Sequence, residues 1–471
     1  MRRPRKRGKH VEDPISGNCL DRISSLPDKL LGHVLSFLPT RLAVITSILS
    51  TRWRYLFTLT TCLSFDDQIS YVDQEPNEII EATRCFNEFV DKVVKLHQIS
   101  PIKKFSLVCH GTYDKSDLNR WLTNALQKGV QELSYERYGS IDRVSDHDSL
   151  FMCETLVSLK MKDPGYNTIK FPQSARLPKL KILHLDWILF FDFNSMEKLF
   201  SGCQLLEELT LKCCGCHTDG HAFHRTEILK VLTVKSCNFT WGTFEIDAPN
   251  LVYLRYSSST GVRIFPSWKS SCSFDKAKLH LDYNYDKDSV KYDRELLKAA
   301  AYKVTKLRFM NNSVQDLVTL DDDEQMPDFL SLSSLHLGDI CCNAWKYVTS
   351  LLDKSPQLKT VVFKSGIPCW CMSPYECSKF CYCNSLRSPS DIPDIPLDPF
   401  SCHVDEIRVY NFCEHKVPLL LIGHLLKNAT VLRNLTVCTD FDDSDSKEEL
   451  KICKQLSMLP RVSKDCCVRM N

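Results

Sequence analysis

The stretch Leu206-Glu207-Glu208-Leu209-Thr210-Leu211 places three apolar side chains at i, i+3 and i+5, with polar residues between them. The last two apolar positions alternate as a half-buried strand alternates, one face inward and one face out. The same spacing begins at Ile102, Val130, Leu156, Leu180, Leu229, Leu251, Val304, Leu332, Leu358, Val404 and Leu432, with a partial copy at Leu279 and Leu281. Successive starts from Ile102 to Leu251 lie 22–28 residues apart, and one gap of 46 separates Leu358 from Val404. A single such unit cannot cover its own apolar edge, so units must stack on one another to bury it.

That period matches the roughly 20–29 residues of a leucine-rich repeat: a short strand, then a return segment that is helical or looped. The expected architecture is α/β, a solenoid built on a curved parallel sheet. Ser195–Phe200 and 344–352 read as helical returns, and the 15 glycines suit helical rather than tightly turned connections. The residues between the apolar positions then face the open, concave surface. His184, Asp186, Thr210, Lys212, Lys235, Arg255, Arg308, His336 and Arg408 are the candidate target-binding residues. They form a mixed polar set suited to a protein or peptide, with a small ligand as the alternative.

Upstream of the repeats the periodicity changes. Leu30, Leu31, Val34, Leu35 and Leu38 make one helical stripe, begun by Ser24-Ser25-Leu26-Pro27-Asp28 and stopped by Pro39. Thr40 is placed to cap a second helix bearing Ala43, Val44 and Ile48, and a third carries Trp53, Leu56 and Phe57. Three such short helices cannot bury their apolar faces alone, so the rest of the chain or a partner must cover them.

Composition narrows the function. Sixty Lys and Arg against 58 Asp and Glu give a net charge of +2, which argues against a general nucleic-acid binder. No secretory signal is visible, and no apolar run has the ~18 residues that a membrane helix needs. The 24 cysteines are therefore expected to be reduced, and the sequons at Asn238, Asn311, Asn428 and Asn434 unused. Arg2, Arg3, Arg5, Lys6, Arg7 and Lys9 form a basic tail, read as a nuclear-import signal or simply as a solvated segment. Nuclear or cytoplasmic location, or both, is expected.

Chemistry is scarce. The phosphate-binding, dinucleotide, zinc-protease and serine-hydrolase motifs are absent. Cys369, Cys371, Cys377, Cys381 and Cys383 crowd a Pro-rich stretch without standard zinc spacing. Cys213, Cys214, Cys216, His217, His221 and His224 are ligand types around a repeat strand. Asp321-Asp322-Asp323-Glu324 reads as a solvated acidic loop. No metal, no cofactor and no catalytic residue are assigned.

The segments Asp21–Leu31, Leu35–Thr40 and Thr46–Leu56 together resemble a plant-type F-box, with Leu42, Ile45 and Thr51 departing from its usual polar positions. Leu199-Phe200-Ser201-Gly202-Cys203-x-x-Leu206-Glu207-x-Leu209-x-Leu211 and Ala248-Pro249-Asn250-Leu251-x-Tyr253-Leu254 resemble the leucine-rich repeats of the same plant proteins. His424-Leu425-Leu426-Lys427-Asn428-Ala429-x-x-Leu432 looks like the FBD module that closes many of them. The resemblance implies a basic tail 1–19, an F-box 20–66, a solenoid 67–367, a Cys/Pro-rich insertion 368–400 and an FBD-type module 401–471.

It also implies a non-catalytic receptor subunit of an SCF-type cullin–RING ubiquitin ligase, docked on a Skp-type adaptor and capturing an unknown target. Neither membrane nor nucleic acid is expected as a partner. Carried over by motif, the adaptor-binding candidates are Leu26, Pro27, Leu30, Leu31, Val34, Leu35, Leu38, Pro39, Val44, Leu49 and Trp53, with contact and module core not separated. The alternative is a repeat-based interaction or ligand-sensing scaffold whose F-box no longer functions.

Overall fold

A computed structural model describes residues 23, 25–67, 75–97, 101–139, 144–146, 148–165, 168–170, 172, 175–239, 241–257, 261–265, 276–281, 287–310, 326–338, 345–364, 403–410, 422–423, 426–427, 429–438 and 446–470. The basic tail, the Cys369–Cys383 cluster and the acidic run at 321–324 lie outside these residues.

The repeat template forms one parallel sheet. Its strands, in chain order, are β1 (Cys62–Asp66), β2 (Lys104–Cys109), β3 (Glu132–Arg137), β5 (Ser158–Lys162), β7 (Ile182–Asp186), β9 (Glu208–Lys212), β12 (Val231–Lys235), β14 (Tyr253–Ser257), β16 (Lys276–Leu281), β17 (Val304–Phe309), β18 (Ser334–Leu337), β19 (Thr360–Phe363), β20 (Glu406–Val409), β21 (Asn434–Val437) and β22 (Cys467–Met470). They are hydrogen-bonded neighbours in that same order. Register is set by the apolar pair: Leu209 aligns with Leu183 and Leu232, and Leu211 with Leu185 and Val234. All six are buried.

Two of these strands escape the template for a specific reason. Thr60 precedes Leu63 and Phe65, and Asp465 precedes Val468 and Met470, where the full copies have an apolar residue. The partial copy at Leu279 and Leu281 marks an irregularity. The register slips between Ala277 and Lys278, so Leu279 follows Tyr256 on one side and Leu307 on the other.

The helical returns expected at Ser195–Phe200 and 344–352 both form, but not every return is a helix or loop. The helices of the returns are α3 (Pro76–Leu96), α4 (Lys115–Gln127), α5 (Asp148–Phe151), α6 (Phe193–Ser201), α7 (Lys287–Ala300), α8 (Trp345–Asp353) and α9 (Ser446–Ser457). In the middle, extended segments accompany α5 and α6. β4 (Val144–Asp146), β6 (Thr168–Lys170), β8 (Leu189–Phe190) and β10 (Gly215–Cys216) form a second parallel sheet, and β11 (Gly220–Arg225), β13 (Gly242–Asp247) and β15 (Val262–Phe265) a third. Stacked aromatics fill this region: Phe200 lies parallel to Phe244 at 5.2 Å, and Phe239 tilts against Phe193. After β7, β9 and β12 the chain turns through Trp187, Cys213 and Ser236, each at positive φ without being glycine. Their amides bond onward along the stack, Trp187 to Lys212 and Cys213 to Lys235.

The N-terminal module consists of α1 (Asp28–Leu35), α2 (Thr40–Ile45) and the 3-10 turns Thr46–Ile48 and Trp53–Leu59. It packs on the first edge of the sheet, with Leu31, Leu35, Ala43, Leu56 and Phe57 joining the same core as Leu63 and Phe65. β1, inside the expected F-box segment 20–66, is thus the first strand of the sheet. The expected Thr40 cap does not form, since α2 starts after Pro39 without a side-chain cap. The Thr40 hydroxyl instead accepts from the Ser64 amide at 2.7 Å and ties the module to β1. Ser36 Oγ accepts from the Thr61 amide at 3.0 Å in the same way.

Candidate functional site

The helical module divides its apolar residues between inside and outside. Leu31 and Leu35 are buried beneath the module, so their role is core. Leu26, Val44 and Trp53 are half-buried against that core. Pro27, Leu30, Val34, Leu38, Pro39 and Leu49 are exposed. Sequence reasoning missed Ile23, Phe37, Leu42, Ile45, Ile48 and Tyr55, which are also exposed, Phe37 to 77% and Ile48 to 80%. Leu42 and Ile45 are two of the departures from the usual polar pattern, so those departures enlarge the outer apolar face. Apolar groups concentrated on so small a module mark a surface meant to be covered.

Packing holds that face in shape. A β-carbon on Gly32 would sit 2.6 Å from Leu59 Cβ, so only glycine lets α1 approach the second 3-10 turn this closely. Arg52 clamps the start of α1: its Nε and Nη2 donate to Asp28 Oδ1 at 2.9 and 2.7 Å, and its guanidinium also reaches the Leu26 carbonyl.

On the large sheet, the face opposite the returns carries the candidate target residues. Lys235, Arg255 and Arg408 are exposed, and His184, Asp186, Lys212, Arg308 and His336 half-exposed. Thr210 is buried at 7% exposure, which removes it as a broad contact surface. Register aligns Lys160, His184, Thr210, Thr233 and Arg255 in one row. The next row aligns Glu136, Lys162, Asp186, Lys212 and Lys235. His184 Nε2 meets Glu208 at 2.8 Å, and Lys104 pairs with Glu132 at 3.4 Å.

The model for the At1g61320/AtMIF1 leucine-rich-repeat domain matches residues 93–465, and the F-box model matches residues 23–62. The chain belongs to the plant F-box/LRR-repeat family. The F-box/LRR-repeat protein At3g59200 of Arabidopsis thaliana is 28% identical, over 95% of this chain and 87% of its own. At4g14103, another F-box/LRR-repeat protein of that plant, is 31% identical over 78% of this chain and 97% of its own. A third relative, At3g59240, carries F-box, FBD and LRR-repeat in its name and is 30% identical over 78% of this chain and 73% of its own.

An F-box joined to repeats is the architecture of a substrate receptor, and F-box/LRR proteins are generally non-catalytic adaptors. The expected FBD module falls partly on residues outside the described set. No helix among the described residues is long and apolar enough to cross a membrane.

The ligand-type residues disperse. Cys214 and Cys216 are buried, His221 pairs with Glu245 at 3.2 Å, and His224 tilts against Phe200. Among the described residues, the group whose ligand atoms converge is Asp66, Asp67 and His110. Asp67 there accepts from the amides of His110 and Gly111 and from the Tyr113 hydroxyl at 2.8–3.0 Å, so it fastens the loop after β2.

Proposed function

We propose that this chain is the target-recognition subunit of an SCF-type cullin–RING ubiquitin ligase. Its F-box docks a Skp-type adaptor, which joins it to the cullin and RING subunits, and its repeats hold the protein to be ubiquitinated. The observation that carries the reading is the exposed apolar face of the F-box, where Leu30, Val34, Phe37, Ile48 and Leu49 all stand in solvent. Covering each such side chain contributes about 1.5–3 kcal/mol, so a handful suffices for a stable complex. The chain itself performs no covalent step; tethering raises the local concentration of the target near the conjugating enzyme. The protein acts in the nucleus, the cytoplasm or both.

A pull-down tests the docking. The full chain is expected to retain a Skp-type adaptor, and Leu30→Asp/Leu49→Asp to lose it while keeping the wild-type circular dichroism and melting curve. Both positions are solvent-exposed, so the fold tolerates the change. If the intact chain captures no adaptor, the ligase reading falls and a repeat scaffold with a non-functional F-box replaces it.

A further inference from the structure

Cations dominate the second half of the open sheet face. Arg255 on β14, Lys278 on β16 and Lys306 on β17 are direct register partners. Neighbouring strands lie ~4.8 Å apart, so three cations fall within about 10 Å along one row. In the adjacent row Arg308 aligns with His336, and Arg408 follows beyond Val362. Lys364 follows β19 and lies over the Tyr410 ring at 4.2 Å.

On the open-face positions of β14 and β16–β20 the one carboxylate is Glu406, and Arg408 already holds it at 2.8 Å. Among the described residues Arg255, Lys278, Lys306, Arg308 and Lys364 make no ion pair with a carboxylate. The first half of the same face differs, since Glu136, Lys162, Asp186 and Lys212 alternate in sign along their row.

Like charges directly across neighbouring strands oppose sheet formation. A fold that keeps three of them in register bears that cost unless an anion offsets it. Two further signs agree. Arg308 Nε and His336 Nδ1 are shielded from solvent yet have no hydrogen-bond partner. Burial, then the charges of Arg308, Lys278, Lys364 and Arg255, push the Lys306 ammonium below its ordinary range.

We propose that this basic sector is where the target binds, and that it takes an extended acidic stretch of the target protein bearing carboxylates or phosphates. The inference rests on the receptor reading and names the substrate class for it. Six strands span roughly 24 Å, the length of about seven extended residues. A duplex nucleic acid needs a longer basic footprint than this, and the net charge of +2 with an alternating first half does not supply one. Guanidinium and ammonium groups converging on a short segment suit charge-assisted bonds to side-chain anions.

Fluorescence anisotropy on the full chain tests it, with a short Asp-Ser-Gly repeat peptide, its phosphoserine form and a neutral Asn-Ser-Gly counterpart as probes. The acidic peptides bind, the neutral one does not, and added salt weakens the binding. Lys306→Gln/Arg308→Gln cuts affinity about tenfold or more, and Lys278→Gln alone, at an exposed position, cuts it less. Lys104→Gln/Lys160→Gln, at exposed positions in the first half, leaves it unchanged. Equal binding of the neutral peptide, indifference to the Lys306 and Arg308 substitutions, or tighter binding of a DNA duplex of equal charge overturns the proposal. Adaptor capture is measured on the same variants and stays intact, so failure of the peptide site and failure of the F-box reading are told apart.

Discussion

Asp163 lies just past β5 with its side chain 5% exposed, and its Oδ2 accepts from Arg137 Nη2 at 2.6 Å and Nε at 3.2 Å. Two charges taken out of water together gain little over an apolar pair, but one left alone is costly. Asp163→Ala is therefore expected to lower stability by about 3–5 kcal/mol in urea unfolding, and Arg137→Met/Asp163→Leu to recover most of it. The pair is invisible in sequence as a contact. Its members are 26 residues apart, one repeat, and only stacking converts that separation into a hydrogen bond. The reverse holds for Thr40. Its hydroxyl was legible as a helix cap, yet β1 offered an unpaired amide at Ser64, and the tertiary bond won.

The elements show which local signals survive packing. The i, i+3, i+5 pattern located thirteen strands of the large sheet, because alternate burial is a property of the strand itself. The returns were less legible. Gly242-Thr243-Phe244-Glu245-Ile246-Asp247 alternates weakly, and it becomes strand β13 only because β11 and β15 flank it.

Within that small sheet His224 is packed against Phe200, and burial pushes its imidazole down to about 4 from an ordinary 6.5. The folded ring stays neutral where the unfolded one takes a proton. Its contribution is thus present above pH 6.5 and is lost as pH falls toward 4. His336, held near 4 by burial and by Lys306, Arg308, Lys364 and Arg408, acts with the same sign. Melting temperature is expected to fall as pH drops through that window, and His224→Phe to flatten part of the slope. An unchanged slope in the variant would mean that the imidazole is solvated in the folded state.

At the scale of the whole molecule the F-box is also a lid on the sheet. A stack of repeats needs a terminal unit that covers its last apolar edge. Leu31, Leu35, Leu56 and Phe57 supply that cover for Leu63 and Phe65. A chain lacking residues 1–57 is therefore expected to lose adaptor capture and also to melt earlier and less cooperatively, read by circular dichroism. Unchanged melting would show the module to be energetically separate from the solenoid. The short-helix sequence implied that its apolar faces needed covering. The structure divides the cover, the inner face going to the sheet and the outer one left for a partner.

The repeat, its period, the apolar ladder and the F-box at its head are legible along the chain, since each depends on residues within one unit. Which F-box side chains stay outside, and which polar residues become neighbours, is set by packing and register. On the chain, Arg255, Lys278 and Lys306 are separated by a repeat each, and of the three the candidate set included Arg255 and missed the two lysines. The parallel register brings them into one row, and charge acts through distance in space rather than along the sequence.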